Sequence, residues 1–129
     1  MRRAAYALFA GLMGLSTAVQ LNDPDPMLWV AAYGAAALVF AAAALGTAHR
    51  WLTISTFMVL ALLAARSAPG FVEWLTQHRS ESIVGEMSVA RPYIEETREF
   101  LGLALAMLGL LGLLAWPPAA AEEGSSKTR

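Results

Sequence analysis

No cysteine occurs in the chain, which excludes disulfides, thiolate nucleophiles and cysteine-held metals. Imidazole is nearly as scarce, because His49 and His78 are the two histidines and they lack the close spacing of a metal-binding pair. Charged residues make up 15% of the sequence and the formal net charge is -1, so no basic surface exists to neutralise a run of phosphates. Nucleic acid is therefore excluded as a partner. A nucleophile elbow and a glycine-rich phosphate loop are also missing, and the expectation is a protein that is not an enzyme and carries no cofactor and no metal.

What the sequence does contain is apolar surface. Hydrophobic residues reach 57% of its 129 residues, above the roughly 45 to 50% of an ordinary soluble domain, and they fall into separate runs. The fold class expected is all-α: an integral membrane four-helix bundle with a short interfacial helix between the third and fourth spans. Residues 1–118 form one domain, with spans at about 4–21, 27–48, 51–66 and 95–116. The second and fourth have the length that crosses about 30 Å of hydrocarbon, the first is slightly under it, and the third is short for a span. Arg2-Arg3 and the apolar run after them also have the form of a signal peptide ending near Ser16-Thr17-Ala18, but a first span is the simpler reading, since further apolar runs follow. Ser67-Ala68-Pro69-Gly70 is expected to stop the third helix. Beyond it, Phe71, Trp74 and Leu75 recur at helical spacing and suggest an interfacial helix over about 69–79. Residues 119–129 are small and polar and read as a disordered tail.

The stretch Gln20-Leu21-Asn22-Asp23-Pro24-Asp25-Pro26 is the sharpest departure from this apolar background. Each aspartate precedes a proline, which disfavours helical backbone at the aspartate and makes the turn stiff. A second polar cluster, Glu95-Glu96-Thr97-Arg98-Glu99, opens the last span. Glu95 and Glu99 are i to i+4 and share a helix face, with Arg98 beside Glu95 at i+3. Because spans alternate in direction, both clusters come to one membrane face. Arg2-Arg3, His49-Arg50 and the Lys127/Arg129 tail come to the other, and the positive-inside rule then puts both termini in the cytoplasm of a bacterial-type inner membrane.

The candidate polar cap is Gln20, Asn22, Asp23, Asp25, Glu95, Arg98 and Glu99. One reading is a structural latch in which Arg98, Arg91 or Arg66 pairs with the aspartates. The other is a site for a hard cation or an organic cation, or a path for protons. Along the last span, Gly102, Ala106 and Gly109 share a small-residue face suited to helix packing. His78 reads as a solvated residue, and the methionines as gap-fillers of apolar helices.

The acidic turn, together with Trp29, Tyr33 and the run from Glu95 to Leu103, resembles the transmembrane protein 220 family of small multi-span membrane proteins. That resemblance extends over about residues 5–115, implies a helical membrane protein, and implies no settled activity. The function expected is a structural, scaffold or assembly accessory subunit whose partners are the lipid bilayer and another membrane protein or a second copy of itself. The alternative is an ion- or small-solute-binding, transport-related protein that uses the acidic cap.

Overall fold

The computed structural model describes residues 1–23, 25–84 and 90–119. Four α-helices account for most of them: α1 (Arg2–Val19), α2 (Pro26–Leu45), α3 (Arg50–Gln77) and α4 (Pro92–Ala115). A single 3-10 turn, Gln20–Asn22, follows α1. All four helices are long and apolar enough to cross a membrane. Large apolar side chains such as Leu8, Leu38, Leu62 and Leu108 remain exposed on every one of them. In water such surface would aggregate, and in a bilayer it is the lipid face.

Local chemistry sets the helix ends. Pro26 occupies the first turn of α2, where its missing N–H costs nothing. At the other end Gly46 takes a left-handed conformation (φ 81°). Its N–H reaches the Ala43 carbonyl and that of Thr47 reaches the Ala42 carbonyl, so two otherwise orphaned carbonyls are satisfied. α2 thus stops at Leu45, three residues short of the expected end of the second span, because glycine there favours termination.

The chain folds as two hairpins, α1 with α2 and α3 with α4, packed tightly within each pair and more sparsely between pairs. Phe40, Met13, Leu60, Leu103 and Leu110 are the largest enclosed apolar side chains, and Phe9 stacks on Phe40 at 5.0 Å between ring centroids. The small face of α4 receives these rings. A methyl group at Gly109 would stand 2.7 Å from both Phe40 and Phe9, one at Gly102 would strike the Tyr33 hydroxyl, and Ala106 between them is fully buried. Gly102, Ala106 and Gly109 therefore make the seam within the bundle. Met13 fills the core, whereas Met58 lies exposed on α3.

The expected break at Ser67-Ala68-Pro69-Gly70 does not occur. α3 continues for 28 residues through Pro69, so the third span is not confined to 51–66 and residues 69–77 are its last turns rather than a separate interfacial helix. Proline removes one helical hydrogen bond and crowds the carbonyl four residues earlier, a cost of about 3 kcal/mol. In a bundle, neighbouring helices and hydroxyl groups compensate. Here contacts with α4 offset that cost without replacing the lost bond: Ser67 donates to Glu99, Thr97 Oγ1 lies 3.4 Å from the Gly70 carbonyl, and Phe71 stacks on Phe100 at 4.5 Å. At about 1.5 Å per residue α3 extends about 42 Å, so its polar end, including Glu73 and Gln77, projects beyond the hydrocarbon.

The first residues and the last described residues meet at one end of the bundle. The Tyr6 hydroxyl donates to the Trp116 carbonyl, and Arg3 donates to the Ala119 carbonyl at 3.2 Å. The expected disordered tail falls, apart from Ala119, outside the described residues.

Candidate functional site

The acidic turn lies at the opposite end of the bundle. The Asp25 backbone N–H donates to Asp23 Oδ1 at 3.1 Å, a local bond by which an aspartate side chain stiffens its own turn. Pro24 lies outside the described residues. Asp23 is half-buried, whereas Asn22 and Asp25 are exposed.

Between the two hairpins at this end is a cleft of about 270 Å³. Leu15, Ser16 and Val19 of α1 form one wall, with Gln20 and Asp23 following them. Tyr33 of α2 stands at the back. Glu95, Arg98, Glu99 and Gly102 of α4 form the other wall. Five residues of the expected polar cap, Gln20, Asp23, Glu95, Arg98 and Glu99, thus come to one cavity. Asn22 and Asp25 do not line it: the turn aims Asp23 inward and leaves its neighbours toward the surface.

Three carboxylates and one guanidinium line this cleft, so its field is negative. Asp23 and Glu95 are the acidic neighbours of Glu99, and Arg66 is a basic one. Glu99 also accepts a hydrogen bond of 2.8 Å from Ser67, a buried hydroxyl of α3, which holds the carboxylate at the junction of the second hairpin. Among the described residues the ion pairs are His78 with Glu73, His78 with Glu81 and Arg91 with Glu81. None of these ties an arginine to Asp23 or Asp25. Nor, among the described residues, do three histidine or acidic side chains come together as ligands of one metal ion.

Tyr33 lines the cleft although the expected polar cap did not include it, and it stands near Trp29. The two rings lie 6.3 Å apart, and both are almost wholly buried. Its proximity to the cleft depends on Gly102, whose missing side chain leaves room for the phenol. That long-range pairing has no local signal in sequence.

A second polar cluster joins α3 to α4 beyond the membrane-spanning turns. Glu81 receives a hydrogen bond of 2.8 Å from the Tyr93 hydroxyl and contacts His78 Nδ1 at 2.9 Å. Its backbone carbonyl accepts from Trp74 Nε1 at 3.1 Å, and His78 stacks on Tyr93 at 4.2 Å. The Tyr93 hydrogen bond holds the Glu81 carboxyl below its ordinary value of 4.5 against the opposing effect of burial, with His78 and Arg91 adding to the lowering. His78 is therefore a bonded member of a clasp rather than a solvated residue. Phe71 and Trp74, expected on an interfacial helix, stack on each other, and Phe71 also stacks on the chain's own Phe100.

These features define a small four-helix integral membrane protein with a polar cleft between its hairpins at one membrane face. The chain belongs to transmembrane family 220, a helical family, which it matches over residues 12–115. No curated protein and no solved structure matches it.

Proposed function

We propose that the protein binds small positively charged organic molecules at the membrane face, with the inter-hairpin cleft as its site and no catalytic step. The supporting observation is the cleft itself: Asp23, Glu95 and Glu99 arrive from two hairpins around about 270 Å³ of space, and Asp23 forms no ion pair among the described residues. Like charges held apart around a cavity favour a cationic occupant. A metal ion is the less suitable occupant, because among the described residues no three histidine or acidic side chains group as ligands of one ion. The reading includes the orientation argued from sequence, with Arg2, Arg3 and Arg50 on the cytoplasmic side of a bacterial-type inner membrane and the cleft opposite.

The test is thermal unfolding of the purified protein in nanodiscs with a panel of organic cations. A ligand at a hundred times its Kd adds about 2.7 kcal/mol of stability, which shifts the midpoint measurably. The Asp23→Asn and Glu95→Gln variants should each lose most of that shift. A parent protein that responds to no organic cation would end this reading.

A second reading, an accessory subunit of another membrane protein, is supported by a different surface. Gly11 and Gly14 of α1 have no heavy atom within 4 Å of the space a side chain would take, and small exposed residues let a second helix approach closely. Gly11→Leu should then abolish reproducible co-purification of a partner from native membranes. A parent that emerges alone from gentle solubilisation would exclude this role.

A further inference from the structure

One buried polar group in the cleft points to the chemistry of its occupant. Tyr33 is 3% exposed, yet its hydroxyl makes no hydrogen bond among the described residues. The other enclosed hydroxyls behave differently: Tyr6, Thr53, Ser67 and Thr97 each bond a carbonyl or carboxylate. No side-chain oxygen among the described residues is both fully enclosed and unpartnered, so the Tyr33 oxygen retains access to the cleft it lines. A hydroxyl that reaches the cleft and has no partner among the described residues is available to accept a hydrogen bond from an occupant.

The surrounding groups narrow the ligand. Tyr33, Gln20, Asp23, Glu95 and Glu99, all residues with acceptor oxygens, line the same space and outnumber its one cationic side chain, Arg98, which lies on the Glu95 side of α4 at i+3. A primary ammonium carries three N–H donors and satisfies several acceptors at once. A quaternary ammonium has no N–H and is recognised by several aromatic faces together, whereas Tyr33 is the single aromatic ring among the lining residues. The outer wall adds a further requirement. Leu15 and Val19 line the cleft and are also 63% and 58% exposed on the lipid-facing side of α1, so the cleft opens sideways to hydrocarbon as well as to the membrane surface.

We propose that the cleft takes a primary ammonium group carried on an apolar tail, with the ammonium among Tyr33, Asp23, Glu95 and Glu99 and the tail along Leu15 and Val19. The inference rests on the cation-binding reading above and specifies its ligand. Two sources share this chemistry: an aminophospholipid of the bilayer and a free long-chain amine.

The experiment uses the full chain in phosphatidylcholine nanodiscs, whose headgroups are quaternary. Phosphatidylethanolamine is introduced in one arm. Dodecylamine, dodecyltrimethylammonium and ethylamine are added separately in the others, and thermal midpoints are measured across concentration. Dodecylamine should stabilise far more than its trimethylated analogue and at lower concentration than ethylamine. Stabilisation by phosphatidylethanolamine as well identifies the bilayer as a source; stabilisation by dodecylamine alone identifies the free amine. Tyr33→Phe, which removes no internal hydrogen bond and should fold normally, should weaken the effect about three- to tenfold, the worth of one hydrogen bond. Equal stabilisation by the quaternary and primary amines, or an unchanged response in Tyr33→Phe, overturns the ammonium assignment while leaving cation binding intact. Ethylamine matching dodecylamine overturns the tail. Failure of every cation defeats both readings together.

Discussion

Single glycines divide this protein into surfaces that are committed and surfaces that are open. At Gly70 a methyl group would overlap the Cβ of Glu96 and lie 2.9 Å from its Cδ. A Cβ is tied to its backbone and cannot swing away, so Gly70→Ala must push α3 and α4 apart. The expected loss is about 1 to 3 kcal/mol, as for other overpacked interiors, read as a lower unfolding midpoint in detergent. Gly11→Ala is the contrasting case, because no atom of a neighbouring element lies within 4 Å of the place its methyl group would take. There the substitution only reduces backbone freedom and should leave the midpoint unchanged or raise stability by up to about 1 kcal/mol. If Gly11→Ala proves as damaging as Gly70→Ala, the outer face of α1 is not open. Neither outcome is written in the local sequence, since Gly11 and Gly70 both stand in helical, largely apolar surroundings and differ only in what a distant helix places beside them.

At the scale of elements, α3 depends on its partner. Its passage through Pro69 is compensated by Ser67, Thr97 and Phe100, and the Glu81 clasp then joins its end to the start of α4. Because the Tyr93 hydroxyl holds the Glu81 carboxyl below 4.5 in the folded chain, the clasp contributes stability that is complete above about pH 4.5. That contribution is lost as pH falls through the lowered native value. Trp74, bonded to the Glu81 carbonyl, is a natural reporter, although three other tryptophans require Phe replacements elsewhere. Its emission should change on acidification below pH 4.5, and Tyr93→Phe should move the transition to higher pH. A transition that stays in place would show that the Tyr93 bond does not govern Glu81. The helices themselves were legible in sequence, because hydrophobic runs, Pro26 and Pro92 are local signals, and alternation of spans brought Asp23 to the same end as Glu95 and Glu99. The continuity of α3 was not legible, since proline is a helix breaker by local rules and its compensation comes from residues about 30 positions away. Tyr33 and the Glu81 clasp escaped for the same reason: what matters in each is a partner from another helix.

The whole molecule has one topological consequence that a chain without cysteine makes easy to test. The bonds from Tyr6 and Arg3 to Trp116 and Ala119 place both described ends together, and a cavity groups Ala48 of the α2–α3 connection and Arg50 at the start of α3 with Pro117 and Pro118. Asp23 and Glu95 share the opposite end. Thr47, Ala119, Asn22 and Ser82 are all exposed, so a cysteine at each should be reachable by a membrane-impermeant maleimide. Thr47→Cys and Ala119→Cys should label from one side only, and Asn22→Cys and Ser82→Cys from the other. The grouping follows from the fold, whereas the identity of the sides follows from Arg2, Arg3 and Arg50 through the positive-inside rule. In intact cells Asn22→Cys and Ser82→Cys are therefore the pair expected to react. If the pairs hold together but the reactive pair is reversed, the orientation is inverted and the cleft faces the cytoplasm, which would restrict its amine to cytoplasmic sources. If Asn22→Cys and Ser82→Cys label from different sides, the two hairpins do not cross the membrane together, and no cleft between them can form.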